Sequence, residues 1–380
     1  MPPSGPGDAL EEGDAWIVLN GIPHLGPVTL RRLFDRFGPD PATILQAPER
    51  ELTAVEGVGG KIAEAIRKWP DHFDLDREKK LLARHEATFI RQTDPDYPAP
   101  LMEIYDPPIG LYALGEMCFR APAVAIIGSR RTTLYGLRTA KEFAAALARR
   151  GVCIVSGLAR GIDAAAHEGA LEVGGRTVAV LGNGCDIVYP PENLELFQQI
   201  RSEGTVVSEF PFGYRANRQT FPMRNRIVAG MCRAILVVET DISGGSLITA
   251  LFAGEQGRQV MAIPGRIDQA TSAGCHQLIR DGATLVTSVD EILEELRLEE
   301  LPLGNFSPTE SGGGSEGSDL ADLTDEESQI LQTLQDGDIL HPDQIAAATK
   351  LSTSTVNATL LLLELRRRVR KRGDGRFEAR

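Results

Sequence analysis

From Ala121 onward, short apolar runs alternate with stretches of helical spacing. The runs are AVAII (123–127), VCIV (152–155), VAVL (178–181), VV (206–207), AILVV (234–238), VMAI (260–263) and TLV (284–286). Runs that are apolar without alternation belong to strands covered on both faces, and amphipathic helices between them supply the covers. The pattern predicts an α/β domain over residues 121–300, a doubly wound, Rossmann-like parallel sheet. In such sheets ligands bind outside the carboxyl ends of the strands, so the residues after each run converge on one rim. They are GSRR (128–131), SGLARGID (156–163), GNGCD (182–186), SEFPFG (208–213), ETDISGGSL (239–247) and PGR (264–266). Gly lets a backbone approach a phosphate closely, and each following helix N-terminus offers free amides. The rim is expected to hold anions.

Cations accompany these loops. Arg130, Arg131 and Arg160 lie in them, and between Ser208 and Arg233 five arginines (215, 218, 224, 226, 233) face a single acid, Glu209. Phe221 sits among those arginines, and a ring between cations suits single-stranded nucleic acid, stacking a base while the arginines hold phosphate. Burial of Phe221 in the core is the plainer alternative. Other chemistries lack their signatures. GVGGKIA has Ile where a phosphate-binding P-loop needs a hydroxyl, and GNG lacks the rest of GxGxxG, so no nucleotide or dinucleotide cofactor is expected. No HExxH or metal-spaced carboxylate cluster occurs, and His167 reads more readily as a hydrogen-bonded structural residue than as a general base.

The flanking segments are different in kind. Residues 1–75 read as short helices with two similar Gly-rich bends, GIPHLGPVTLRRLF (21–34) and VEGVGGKIAEAI (55–66). They resemble helix-hairpin-helix or SAM-like units, which either hold a backbone phosphate on helix N-terminal amides or serve as a docking domain without DNA contact. Residues 76–120 form a connector whose prolines favour extended segments and turns over a long helix. Residues 301–323 are an acidic Gly/Ser/Pro linker. Residues 324–380 read as a winged-helix-like unit, opening on a capping box at Thr324 and Glu327 and ending in a basic hairpin. Five scattered cysteines without a CxxC pair indicate neither a disulfide framework nor a zinc site. With no membrane span or leader in the sequence, the chain is expected in the cytoplasm.

At AVAIIGSRRTTLYG (123–136), VSGLARGIDAAAHEGAL (155–171), GGRTVAVLGNGCDIVYPPEN (174–193), SEFPFG, FPMRNRIVAG (221–230) and LITALFAGEQGRQVMAIPG (247–265) the chain resembles the DNA-processing protein A family (DprA, also called Smf). The resemblance is dense over about 120–288. It implies a non-enzymatic protein that binds single-stranded DNA during natural transformation, protects it and loads the RecA recombinase. Carried over by position, Gly128, Ser129 and Arg130 would grip phosphate, Arg218 would be a basic contact, Phe221 would stack a base, and Arg224 and Arg226 would complete the pocket. Arg131, Ser156, Gly157, Arg160, Asn225, Gly245 and Ser246 on the same loops complete the candidate DNA contacts. The resemblance further implies a homodimer joined around 260–285, while the terminal domains are open to duplex DNA or to a protein partner. Two positions depart from the family's pattern: Gly244 stands where a Ser is usual, and Pro191 stands where a Lys is frequent.

Two rivals remain at this level. A nucleoside monophosphate phosphoribohydrolase could use a similar rim, but the PGGxGTxxE signature of such enzymes is missing. A sequence-specific regulator could use the C-terminal unit alone. A formal net charge of −13 would argue against nucleic acid, yet the stretch 286–330 carries thirteen acids against one base, and the tail 366–380 carries eight bases against two acids. The excess negative charge belongs to a linker region.

Overall fold

A computed structural model of the protein describes residues 10–297, 325–334, 340–365, 369–371 and 376–379. The chain divides into two compact units between Ser307 and Pro308.

The first unit opens with six helices, α1 (Glu12–Gly21), α2 (Pro27–Phe37), α3 (Pro41–Gln46), α4 (Glu49–Leu52), α5 (Gly60–Arg67) and α6 (Trp69–His72). Their shared core includes Trp16, Leu19, Leu30, Leu33, Ile44 and Ile66. Each Gly-rich bend ends at a helix start: Gly26 precedes α2 and Gly59 precedes α5. Pro27 occupies the first position of α2, where its missing N–H removes no helical bond. Several polar contacts tie these helices to the rest of the first unit, among them Lys79 on Asp14. Asn20 Nδ2 donates to the Glu209 carbonyl at 3.0 Å, and Arg31 donates to the Tyr105 carbonyl at 3.1 Å while lying over the Tyr105 ring.

The segment 76–120 differs from its expected character. An eleven-residue helix, α7 (Leu75–His85), precedes the first of its prolines and is capped by Asp74, which accepts from the Arg77 N–H. Two strands come next, β1 (Thr88–Arg91) and β2 (Gly110–Gly115), with the short helix α8 (Ala99–Met102) and the prolines between them. The prolines do disfavour helix, but only over the stretch they occupy.

Seven more strands complete one sheet: β3 (Ala123–Ile127), β4 (Cys153–Ser156), β5 (Thr177–Val180), β6 (Thr205–Ser208), β7 (Ala234–Val237), β8 (Gln259–Ala262) and β9 (Thr284–Leu285). The order is β1-β2-β6-β5-β4-β3-β7-β8-β9. All pairings from β6 to β9 are parallel, whereas β2 runs antiparallel to β6 and β1 antiparallel to β2. The sheet is therefore mixed, its parallel Rossmann-like core extended at one margin by strands from the connector. Side chains alternate across it. Val124, Ile126 and Ile154 pack under α9 (Leu134–Arg149) and α10 (Ile162–Glu172). Ala125, Ile127 and Val155 share a second core with α12 (Thr220–Gly230) and α13 (Gly245–Glu255). Helix α11 (Leu194–Glu203) covers β6, and α14 (Ala273–Arg280) and α15 (Val289–Glu295) follow β8 and β9. A chain that builds outward from β3 through β4, β5 and β6, then returns to lay β7 beside β3, reverses direction at β3, and a crevice opens at the carboxyl ends of β3 and β7.

The second unit contains α16 (Asp325–Leu334), α17 (Pro342–Thr349), α18 (Thr353–Leu365) and an antiparallel pair, β10 (Val369–Lys371) and β11 (Phe377–Ala379). Ile330, Ile345, Val356, Leu360, Val369 and Phe377 form its core, the arrangement of a winged helix. The expected linker 301–323 and the expected cap Thr324 lie outside the described residues.

Candidate nucleic-acid interface

The loop after β3 is held by β7. Gly128 leaves no room for a side chain, since a Cβ there would stand 2.6 Å from Ile162 and 2.7 Å from the Glu239 carbonyl. The Ser129 N–H donates to that carbonyl at 2.7 Å, and the Ser129 hydroxyl accepts from the Arg131 N–H at 3.0 Å. The buried Glu239 carboxylate accepts from the Thr132 hydroxyl (2.5 Å), the Thr133 N–H (2.9 Å) and the Thr133 hydroxyl (2.6 Å). Thr133 in turn caps α9. The loop is thereby fixed in place while Arg130 and Arg131 remain exposed.

Beneath it lies a buried cation. Arg224, on the first turns of α12, is 4% exposed, and its Nη1 donates to the Val180 carbonyl at the end of β5. Its Nε has no hydrogen-bond partner among the described residues. Burial brings the Arg224 guanidinium down to about 10, with Asp163 opposing the shift, so it stays charged at neutral pH. Asp163 is occupied by its own loop, accepting from the N–H groups of Gly157 (3.1 Å) and Ala159 (3.4 Å), and burial pushes its carboxyl up despite Arg224. A Cβ on Gly157 would fall 1.8 Å from Arg224 Nη1, so this glycine is what admits the guanidinium.

These groups line one cavity of about 450 Å³ at the crevice. Of the candidates from sequence, Gly128, Ser129, Arg130 and Arg131 come to it from β3, Gly157 from β4, Phe221, Arg224 and Asn225 from α12, and Gly245 and Ser246 from the start of α13. Phe221 is half-buried, and the Arg130 guanidinium lies over its ring at 5.1 Å, a cation–π contact at the mouth of the cavity. The ring belongs to the rim and to none of the core clusters among the described residues.

Four candidates are placed elsewhere. Arg226 is 4% exposed, with its guanidinium on Glu209 and Asp106, and donates to the Asp106 carbonyl at 2.8 Å. Two residues along a helix turn a side chain by about 200°, so Arg226 faces away when Arg224 faces the cavity. Ser156 is buried and donates to the Ile126 carbonyl at 2.7 Å, joining β4 to β3. Arg160 is exposed beside the cavity and paired with Glu192. Arg218 is exposed on the segment leading to α12 and does not line the cavity.

Sequence reasoning missed Glu239 and Asp163 as the clamps of the first two loops. Both stand directly after or within the Gly-rich runs, but a carboxylate in an anion-binding rim reads as unfavourable until its partners are seen. The departure at Gly244 also gains a cause: a Cβ there would lie 2.1 Å from the Thr240 hydroxyl, which already accepts from Ser246 at 2.7 Å. His167 is fully buried with Nδ1 2.7 Å from the Thr177 hydroxyl, and burial, aided by the Arg224 charge, holds its imidazole down to about 3, so it is neutral at physiological pH; it does not line the cavity. Among the described residues no three His, Cys, Asp or Glu side chains group as a metal site. What the cavity can do is bind an anion on amides and arginines and stack a flat ring at its mouth.

Comparison with known proteins agrees with this chemistry. The family described as DNA recombination-mediator protein A matches residues 88–297, the DprA winged helix domain matches 315–375, and a helix-hairpin-helix motif matches 16–78. Protein Smf of Synechocystis is 37% identical over 92% of this chain and 94% of its own. The crystal structure of DNA processing protein A from Streptococcus pneumoniae superposes with a TM-score of 0.65 at 34% identity, over 75% of this chain and 99% of that one. A structure of the Helicobacter pylori protein, described for its single-stranded DNA binding mode, superposes with a TM-score of 0.52 at 28% identity, over 57% of this chain and 97% of that one.

Proposed function

The chain belongs to the DNA recombination-mediator protein A family, and from that membership and the chemistry of its rim we propose that it binds single-stranded DNA at the carboxyl ends of β3, β4 and β7. The observation that carries this reading is Arg224, a buried cation with an unpartnered Nε at the floor of a cavity built from glycine loops. Burying such a charge costs several kcal/mol unless an anion completes it, and a backbone phosphate supplies both the charge and the acceptor. Phe221 and Arg130 then take the base and the neighbouring phosphate. Contacts of this kind hold backbone and ring faces, so they accept any sequence.

In this reading the protein has no catalytic step. It shields the strand from nucleases and passes it to the RecA recombinase, as a recombination mediator does. It acts as a homodimer through about 260–285, where Ile267 is 96% exposed and Leu285 and Leu251 are exposed nearby in sequence. Among the described residues no helix is long and apolar enough to cross a membrane, and we place the protein in the cytoplasm, which also suits five free cysteines. The winged helix supplies a duplex or protein contact of its own.

The test is a filter-binding titration of oligothymidylate over a range of salt. Arg130→Ala is expected to weaken binding and to lower the log–log salt slope by about 0.7, one phosphate contact on a single strand. Unchanged affinity and slope would remove Arg130 from the site. Incubation with nucleoside monophosphates is expected to leave them intact; base release at a catalytic rate would replace this reading with the hydrolase.

A further inference from the structure

A crevice adjoins the main cavity between the second and third strand-following loops, and its lining includes Arg160, Asn183, Tyr189, Phe221 and Arg224. Tyr189 is 39% exposed, and its ring centroid is 5.5 Å from that of Phe221 with a 42° tilt between planes. The two rings are in ordinary aromatic contact, and because Tyr189 is exposed its outer face is open to a further flat ring beside the one on Phe221. The loop that carries Tyr189 is tied down from behind, Asn193 Nδ2 donating to the Leu158 carbonyl at 3.0 Å, so the ring is presented by a fixed support. From Ile187 to Asn193 that loop has no cation of its own, and its one charge, Glu192, is paired with Arg160 from the loop opposite. Both partners of this pair are about half exposed, so the bond is exchangeable for another anion at little cost.

We propose that the mouth of this narrow crevice is a second nucleotide subsite, in which the exposed face of Tyr189 stacks the base next to the one on Phe221 and a backbone phosphate replaces Glu192 on Arg160. The subsite rests on the single-stranded DNA reading above and extends it by one nucleotide. Glu192 acts as a stand-in anion in the free protein, keeping Arg160 oriented toward the crevice until DNA arrives. It also sets a threshold, because each binding event must exchange a carboxylate for a phosphate.

The experiment is fluorescence anisotropy with a labelled short oligothymidylate and full-length protein. Tyr189→Ala is expected to weaken binding by roughly 5- to 150-fold, the range of a base–aromatic stack, and Tyr189→Phe to stay within about twofold. Tyr189→Leu, which keeps apolar volume without a ring, is expected to weaken binding like alanine, and thermal melts confirm that each variant is folded. Glu192→Gln is expected to tighten binding about threefold at low salt, and the gain is expected to vanish in an Arg160→Ala background. Wild-type affinity for Tyr189→Ala and Tyr189→Leu, or a Glu192→Gln gain that survives without Arg160, overturns the subsite. If Arg130→Ala and Phe221→Ala weaken binding while the Tyr189 variants do not, the subsite alone fails; if none of them weakens it, the DNA reading fails with it.

Discussion

Gly157→Ala removes no side chain that would touch DNA, yet it is expected to disable the anion site. The backbone at Gly157 is not in the left-handed region, so alanine is conformationally acceptable there, and the whole effect comes from space. Its Cβ would stand 1.8 Å from Arg224 Nη1, 2.3 Å from Cζ and 2.6 Å from Nη2, so the guanidinium must leave. With it goes the bond to the Val180 carbonyl, a charged hydrogen bond worth about 1.5–3 kcal/mol of stability. If phosphate is held by the same guanidinium, affinity falls by a similar energy, roughly 10- to 150-fold, and the salt slope of oligothymidylate binding drops by about 0.7. Urea denaturation reads the first quantity and filter binding between about 50 and 200 mM salt reads the second. Gly254→Ala in the last turn of α13 is the control: nothing lies within 4 Å of its would-be Cβ, and alanine there is expected to stabilise by up to about 1 kcal/mol without touching DNA binding. A folded Gly157→Ala protein with wild-type affinity and slope would refute the placement of phosphate on Arg224.

Three further outcomes are expected from the packing around the rim. Arg226→Met leaves Glu209 buried without its cation, so denaturation should show a loss of about 3–5 kcal/mol while the folded protein keeps its DNA affinity. Glu239→Ala releases three bonds that hold the Thr132–Thr133 segment, and oligonucleotide affinity should fall roughly 5- to 30-fold as the loop loses its fixed shape, with Arg130 and Arg131 still present. His167 is held from its usual 6.5 down to about 3, so the unfolded chain takes up that proton first: stability from this group is complete above about pH 6.5 and declines toward pH 3 by about 1.4 kcal/mol per unit. His167→Gln should flatten that slope in urea midpoints measured from pH 6 to pH 4, the raised carboxyls of Asp163 and Glu209 being common to both proteins; equal slopes would remove His167 as the cause.

The seven parallel strands were legible almost to the residue because the central ones, β3 to β7, are covered on both faces, and such burial writes itself as an unbroken apolar run. AVAII is β3 without adjustment, and the other runs miss by one residue. β1 and β2 are hard to read because the five prolines between them signal turns more strongly than the sequence signals the strands on either side. The site shows the same division. Gly and Ser positions after strands located the rim, since topology alone brings them together. The sorting of arginines within FPMRNR needed the helix: Arg224 and Arg226 are alike in sequence, and only the turn of α12 sends one to the cavity and the other to Glu209. Clamping carboxylates such as Glu239 were invisible because their role is defined by partners more than a hundred residues away.

The outermost strands of the sheet have four residues at one margin and two at the other. Were the proposed DNA binding to crowd copies along one strand, long open margins would recruit one another strand to strand into fibres. Margins this short present too few unpaired amides to seed that growth. The same architecture that gathers a crevice at its centre thus keeps strand-to-strand pairing out of its periphery, leaving any contact between copies to side chains such as those of the proposed dimer face.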